Sequence, residues 1–172
     1  MLNRKVSVSK SLTVLAPNVV HKKMSSNNLT LEVIWKDEDM FEMRISANNG
    51  RYSGITEIYD TTESLLEFVN ELKEFPFEKD KVVHSCGKKD SYAYFEMKFY
   101  KIGLSGKCGV LITMEENVAT EYRKEEKDKL SMELIIEPNS IDIFCRELKL
   151  LAQKEDGTAE LNAVEKYTNN IA

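Results

Sequence analysis

Apolar and polar residues alternate along most of this chain, and the alternation breaks twice into a helical stripe. Leu29, Leu31, Val33 and Trp35 are interleaved with Thr30, Glu32, Ile34 and Lys36, the period-two pattern of a strand with one dry face. Asp37-Glu38-Asp39 makes a turn, and Phe41, Met43 and Ile45 alternate with Glu42, Arg44 and Ser46 as the partner strand. Asn48-Asn49-Gly50 is a hairpin signal, because Asn and Gly tolerate positive φ, and Tyr52 to Tyr59 returns as a third strand. Asp60 or Thr61 then caps a helix; with Asp60 as the cap, Glu63 takes the third position of a capping box. Leu65, Phe68, Val69 and Leu72 form one apolar stripe, and Phe75-Pro76 ends it, since the residue before proline is pushed out of the α region.

The second half repeats the plan. Val82 to Cys86 is a short strand, Gly87 to Asp90 a turn, and Tyr92 to Ile102 the longest strand pattern. Ala93, Phe95, Met97 and Phe99 share one face of it; Tyr94, Glu96, Lys98 and Tyr100 share the other. After a Gly103–Gly106 turn, Cys108, Val110, Ile112 and Met114 continue as a strand. Glu115 to Lys129, with six acids and four bases, reads as a long charged hairpin tip or a short helix. Leu130, Met132, Leu134 and Ile136 form the last strand, and Pro138-Asn139 starts a second helix. Its buried stripe is Ile141, Phe144, Cys145, Leu148 and Leu151, and Gly157 stops it; Ala159 to Tyr167 is weakly patterned.

The two helices echo each other. Ser64, Phe68, Glu71, Leu72 and Lys73 recur at one offset as Ser140, Phe144, Glu147, Leu148 and Lys149. Strand runs followed by a helix define the α+β class, here a largely antiparallel sheet with two packed helices in a tandem strands-then-helix order. Residues 29–172 read as one domain with halves at 29–77 and 78–157. Duplication and convergent packing both account for the echo, and the halves fit one sheet or two.

Charge changes this picture at one end. Residues 1–28 carry Arg4, Lys5, Lys10, Lys22 and Lys23 and no acid, a local +5; the whole chain is −5, leaving −10 for residues 29–172. The basic head reads as a poorly ordered segment, with Met24 a natural start. The acidic body argues against nucleic acid and suits a basic protein partner. No apolar run approaches the roughly 18 residues that span a bilayer. Three scattered cysteines make no disulfide framework, so a reducing cytoplasm is expected.

Candidate chemistry is sparse. His84 and Cys86, two apart on a strand, face one side and with Cys108 make a potential metal set, but the paired spacings of zinc sites are missing and buried cysteines explain the same residues. His21 and His84 are the only histidines, and no G-x-S-x-G elbow exists. Glu96 on its strand face is the one carboxylate to weigh for acid–base work, against an ordinary cross-strand salt bridge. We therefore expect no catalytic residues, no metal and no cofactor. The remaining surfaces are for protein contact: Trp35 beside Asp37, Glu38 and Asp39, and the loop bearing Glu115, Glu116, Glu121, Tyr122, Glu125, Glu126 and Asp128. Aromatics flanked by charge make good interface anchors.

A set of loose motifs carries a resemblance. These are Gly50, Tyr52, Ser53 and Gly54; then Glu63, Ser64, Leu65, Phe68 and Leu72; then Gly106, Gly109 and Val110; and finally Phe144, Glu147 and Leu148. Together, over roughly residues 29–153, they resemble the small WapI-like immunity proteins of bacteria. The resemblance implies a non-enzymatic cytoplasmic protein that neutralises a cognate toxin domain, often a nuclease, by occlusion. Alternatives are a small hydrolase-like enzyme using sheet-cleft carboxylates such as Glu96, or a structural homodimer formed through the Tyr94/Tyr100 face.

Overall fold

The computed structural model describes residues 27–103, 106–117 and 125–165. Within them the chain is an α+β fold of two antiparallel four-stranded sheets and two helices. Strands β1 (Asn28–Lys36), β2 (Phe41–Asn48) and β3 (Ser53–Asp60) form a meander. After helix α1 (Thr62–Glu74) comes a second meander, β4 (Lys81–Gly87), β5 (Ala93–Lys101), β6 (Cys108–Asn117) and β7 (Lys127–Ile136). Helix α2 (Pro138–Lys154) follows, and then β8 (Thr158–Asn162). The strand orders are β3-β2-β1-β8 and β4-β5-β6-β7. The two halves thus form two sheets, and the first borrows its last strand from the far end of the chain.

That last strand lies in the stretch with the weakest pattern. It has five residues, and its register comes from pairing with β1, Leu29 opposite Leu161 and Leu31 opposite Ala159. β1 itself starts at Asn28, inside the segment read as a basic head; Asn27 also ties in, its carbonyl accepting from Ala163 N–H. Residues 1–26, including His21 and Met24, lie outside the described residues.

Local signals select the helix ends. Thr61, not Asp60, caps α1: its hydroxyl accepts from Ser64 N–H at 3.2 Å. Asp60 stays in β3 as its last residue. Helix α2 ends on Glu155 in the left-handed region (φ 48°), two residues before Gly157. The Thr62 hydroxyl donates to the Ala152 carbonyl at 3.1 Å, so the start of α1 meets the end of α2 and the helices run antiparallel.

One continuous core joins both sheets and both helices. Phe99 is at its centre, with ring centroids 6.0 Å from Phe68, 6.1 Å from Phe75 and 6.4 Å from Phe144. Burial at this scale, roughly 1.5–3 kcal/mol per large apolar side chain, holds the layers together. Edge strand β3 crosses one end of the second sheet. Gly54 faces Leu130 and Met114 on β7 and β6, Ile58 packs on Gly87 at the end of β4, and Asp60 reaches His84 and Cys86 on β4. Gly87 permits this crossing: its φ is +71°, and a Cβ there would strike the Ala93 carbonyl and Ile58.

Two expectations are corrected. Trp35 does not share the dry face of Leu29 and Leu31. A β-bulge between Val33 and Trp35 shifts the register, so Val33 pairs with Met43 but Trp35 pairs with outward-facing Glu42. The indole is turned out and is 48% exposed. The stretch from Glu115 to Lys129 is not all loop: β6 and β7 extend into it, so Glu115, Glu116 and Asp128 are strand residues in register. Cross-strand pairing continues past the last apolar residue because Glu115 opposes Lys129, an ion pair at 3.3 Å.

Candidate functional site

The bulge in β1 builds an aromatic face. Trp35 meets the edge of Tyr59, centroids 6.2 Å apart and planes at 88°. Tyr59 lines a groove of about 370 Å³ with Glu42, Glu57, Tyr92 and Glu116, floored by Ile58, Gly87 and Ala93. Tyr59 and Tyr92 are 51% and 68% exposed. Lys88 and Ser91 line the same groove, and Trp35 stands beside Lys36, Lys154, Glu155 and Asp156, so the three exposed rings are flanked by both signs of charge. Partial desolvation first, then the Glu42 charge and hydrogen bond, push the Tyr59 hydroxyl above its ordinary range. Glu57 is matched within its own sheet, where two guanidinium nitrogens of Arg44 donate to its Oε1 at 2.9 and 2.7 Å.

The predicted contact residues do not share one surface. Trp35 and Glu116 come to one surface, joined through Tyr59. Asp37, Glu38 and Asp39 form the exposed β1–β2 turn beside it. Asp37 builds that turn: its Oδ1 accepts from Asp39 and Met40 N–H, both at 2.9 Å, and these bonds hold its carboxyl below the usual range. Asp128 stands opposite Glu116 across β6 and β7, and both line an adjoining groove beside Ile55. Lys129 lines the same groove beside them. Glu125 and Glu126 lie just before β7, farther along the same tip. Glu121 and Tyr122 lie outside the described residues. Glu115 leaves the set: it is buried, accepts from Asp90 N–H at 3.1 Å and pairs with Lys129.

Tyr59 and Glu42 carry no contact signal in the sequence beyond their strand positions. Alternation put Tyr59 at the end of a strand, but only the crossing of β3 over the second sheet brings it to Tyr92.

A second cluster is buried. Asp60 Oδ2 lies 2.8 Å from His84 Nε2 and 3.3 Å from Cys86 Sγ, and Sγ lies 3.3 Å from the same Nε2. A carboxylate only accepts, so Nε2 carries a proton toward it in this arrangement. Asp60 Oδ1 accepts from Thr61 N–H at 2.8 Å. Cys86 is 4% and His84 5% exposed, and the Phe68 ring lies 4.8 Å from the imidazole. Burial and the Asp60 charge drive the Cys86 thiol far above its ordinary value, which is the opposite of an activated nucleophile. Cys108, grouped with these residues from sequence, sits elsewhere: it opposes Lys101 at the other end of β5, whereas Cys86 opposes Phe95. Asp60 takes the place expected of it.

The outer face of the second sheet is internally engaged. The Tyr94 hydroxyl donates to Glu96 Oε2 at 2.7 Å, and burial with that bond raises the Tyr94 hydroxyl to about 12. Glu96 faces Thr113 and Ser85 across the strands, so the expected salt bridge is replaced by this tyrosine contact. The Tyr100 hydroxyl donates to Glu133, and its ring covers Gly109 on the neighbouring strand. No helix among the described residues is long and apolar enough to cross a membrane. No protein-family model matches the chain, no curated protein matches it, and no solved structure matches it.

Proposed function

We propose that this chain is a non-catalytic binding protein that occludes a basic protein partner through the Trp35–Tyr59–Tyr92 face. The observation that carries the reading is the β-bulge. It turns a tryptophan out of the core and sets it against a second exposed aromatic, beside a groove lined by Glu42, Glu57, Glu116 and Lys88. An unbulged strand would bury Trp35 and gain its hydrophobic stabilisation. Exposed aromatic anchors ringed by charge are the composition of interface hot spots. The acidic body complements a cationic partner, speeding encounter and penalising wrong partners.

The resemblance to WapI-like immunity proteins makes that partner a toxin domain, commonly a nuclease and hence basic, neutralised in the cytoplasm. Three buried free cysteines fit a reducing compartment. The test is co-expression with the product of the neighbouring upstream reading frame. Co-elution as a stoichiometric complex with rescue of growth is expected. Growth arrest without co-elution would overturn the reading.

A further inference from the structure

We propose that Asp60, His84 and Cys86 form a binding site for a zinc-class divalent cation. The three side chains offer one oxygen, one nitrogen and one sulfur, the mixed donor set that borderline metals accept. They come from two sheets. Asp60 ends β3, while His84 and Cys86 project from one side of β4, and the crossing of β3 over β4 brings them together.

The geometry admits an ion. Separations of 2.8, 3.3 and 3.3 Å place the donors on a circle of radius about 1.8 Å, so an ion about 1 Å above their plane lies about 2.1 Å from each. Zinc–nitrogen and zinc–oxygen bonds are about 2.0–2.2 Å and zinc–sulfur about 2.3 Å, so the donors need only small adjustments. Three protein ligands leave one tetrahedral position.

Charge and orientation agree. A thiolate, a carboxylate and a neutral imidazole around a divalent cation sum to zero, so the loaded cluster needs no further counter-ion in a dry surrounding. Thr61 N–H holds Asp60 Oδ1, leaving Oδ2 aimed at the cluster. Phe68 lies against the imidazole and limits its rotation. Such outer contacts orient ligands in metal sites. Loading forms the metal–sulfur and metal–nitrogen bonds: the Cys86 thiol proton leaves to solvent, and the His84 ring proton moves from Nε2 to Nδ1, which frees the Nε2 lone pair and keeps the imidazole neutral. The bound ion would pin the two sheets together at the crossing. This role is independent of the aromatic face.

The test uses the full chain, unfolded and refolded with one equivalent of Zn²⁺ or Co²⁺ and then freed of loose metal. One retained ion per chain is expected, with a thiolate-to-Co²⁺ charge-transfer band that Zn²⁺ abolishes by competition. X-ray absorption of the zinc-loaded wild type should give one sulfur and otherwise nitrogen or oxygen neighbours. Cys86→Ser should lose the band. No retained ion, a shell of nitrogen and oxygen only, or a band that survives in C86S would overturn the proposal. The wild-type spectra decide the matter even if a variant fails to fold.

Discussion

Replacing Asp60 with alanine should cost more stability than its small side chain alone would imply. Asp60 joins the end of β3, the start of α1 and the middle of β4 through contacts to Thr61 N–H, His84 and Cys86. Removing it leaves a buried imidazole, a thiol and a backbone N–H facing an apolar void. Each buried donor left without its acceptor costs about 1–3 kcal/mol, so the three together are expected to cost about 3–5 kcal/mol. For a domain of this length that corresponds to a fall in Tm of roughly 10–15 °C. The assay is urea unfolding in the presence of a chelator, so that only protein contacts are read, on wild type, D60A, H84A and the double variant. The cycle should give a coupling of about 1.5 kcal/mol or more between the two sites. Acid adds a second reading. Burial alone would raise the Asp60 carboxyl, but the His84 bond and charge, with Thr61 N–H and the Ser64 hydroxyl, hold it below its ordinary value. A carboxylate lowered on folding adds stability above its unfolded pKa of about 3.9 and loses it as pH falls through the lower folded value. The wild-type advantage over D60A should therefore shrink on acidification below about pH 4. A D60A midpoint within about 1 kcal/mol of wild type, or an advantage that does not shrink in acid, would refute the reasoning.

Three further outcomes follow from the same contacts. Trp35 is the sole tryptophan, so native fluorescence should be red-shifted and open to acrylamide quenching; a blue-shifted, protected emission would mean the indole faces the core. Gly87→Ala should destabilise by more than the roughly 1–2 kcal/mol of a left-handed backbone, because its Cβ meets the Ala93 carbonyl as well; urea midpoints check this. Cys86, Cys108 and Cys145 are all buried, so native protein should react with a thiol reagent far more slowly than protein in denaturant, where three thiols should count.

Much of the fold is legible in the sequence because alternation and stripes are local. Phe41, Met43 and Ile45 declare a half-buried strand without reference to anything distant, and so do Phe95, Met97 and Phe99. What depends on a distant partner does not show. Thr158–Asn162 is a strand only because β1 offers it an edge. The bulge that exposes Trp35 is a mismatch of register between β1 and β2, and the period-two pattern of β1 alone puts the indole inside. His84 and Cys86 were visible as neighbours on one strand face, but Asp60 joins them from another sheet, and Cys108 has the right chemistry at the wrong end. The acidic hairpin was legible as charge. Its strand pairing, which buries Glu115 and exposes Glu116, required the β6–β7 register.

The proposed function requires the exposed aromatic face to be an interface and not a packing defect. The most direct measurement is a titration of the co-expressed partner against wild type, Trp35→Ala and Tyr92→Ala, with urea midpoints taken on the same samples. Hot-spot anchors cost about 2 kcal/mol or more on truncation, so each variant should bind roughly 30-fold more weakly or worse. Their stability should stay close to wild type, since both side chains are largely outside the core. Affinity unchanged in both variants, with the complex still formed, would show that the partner binds elsewhere and would overturn the proposed interface.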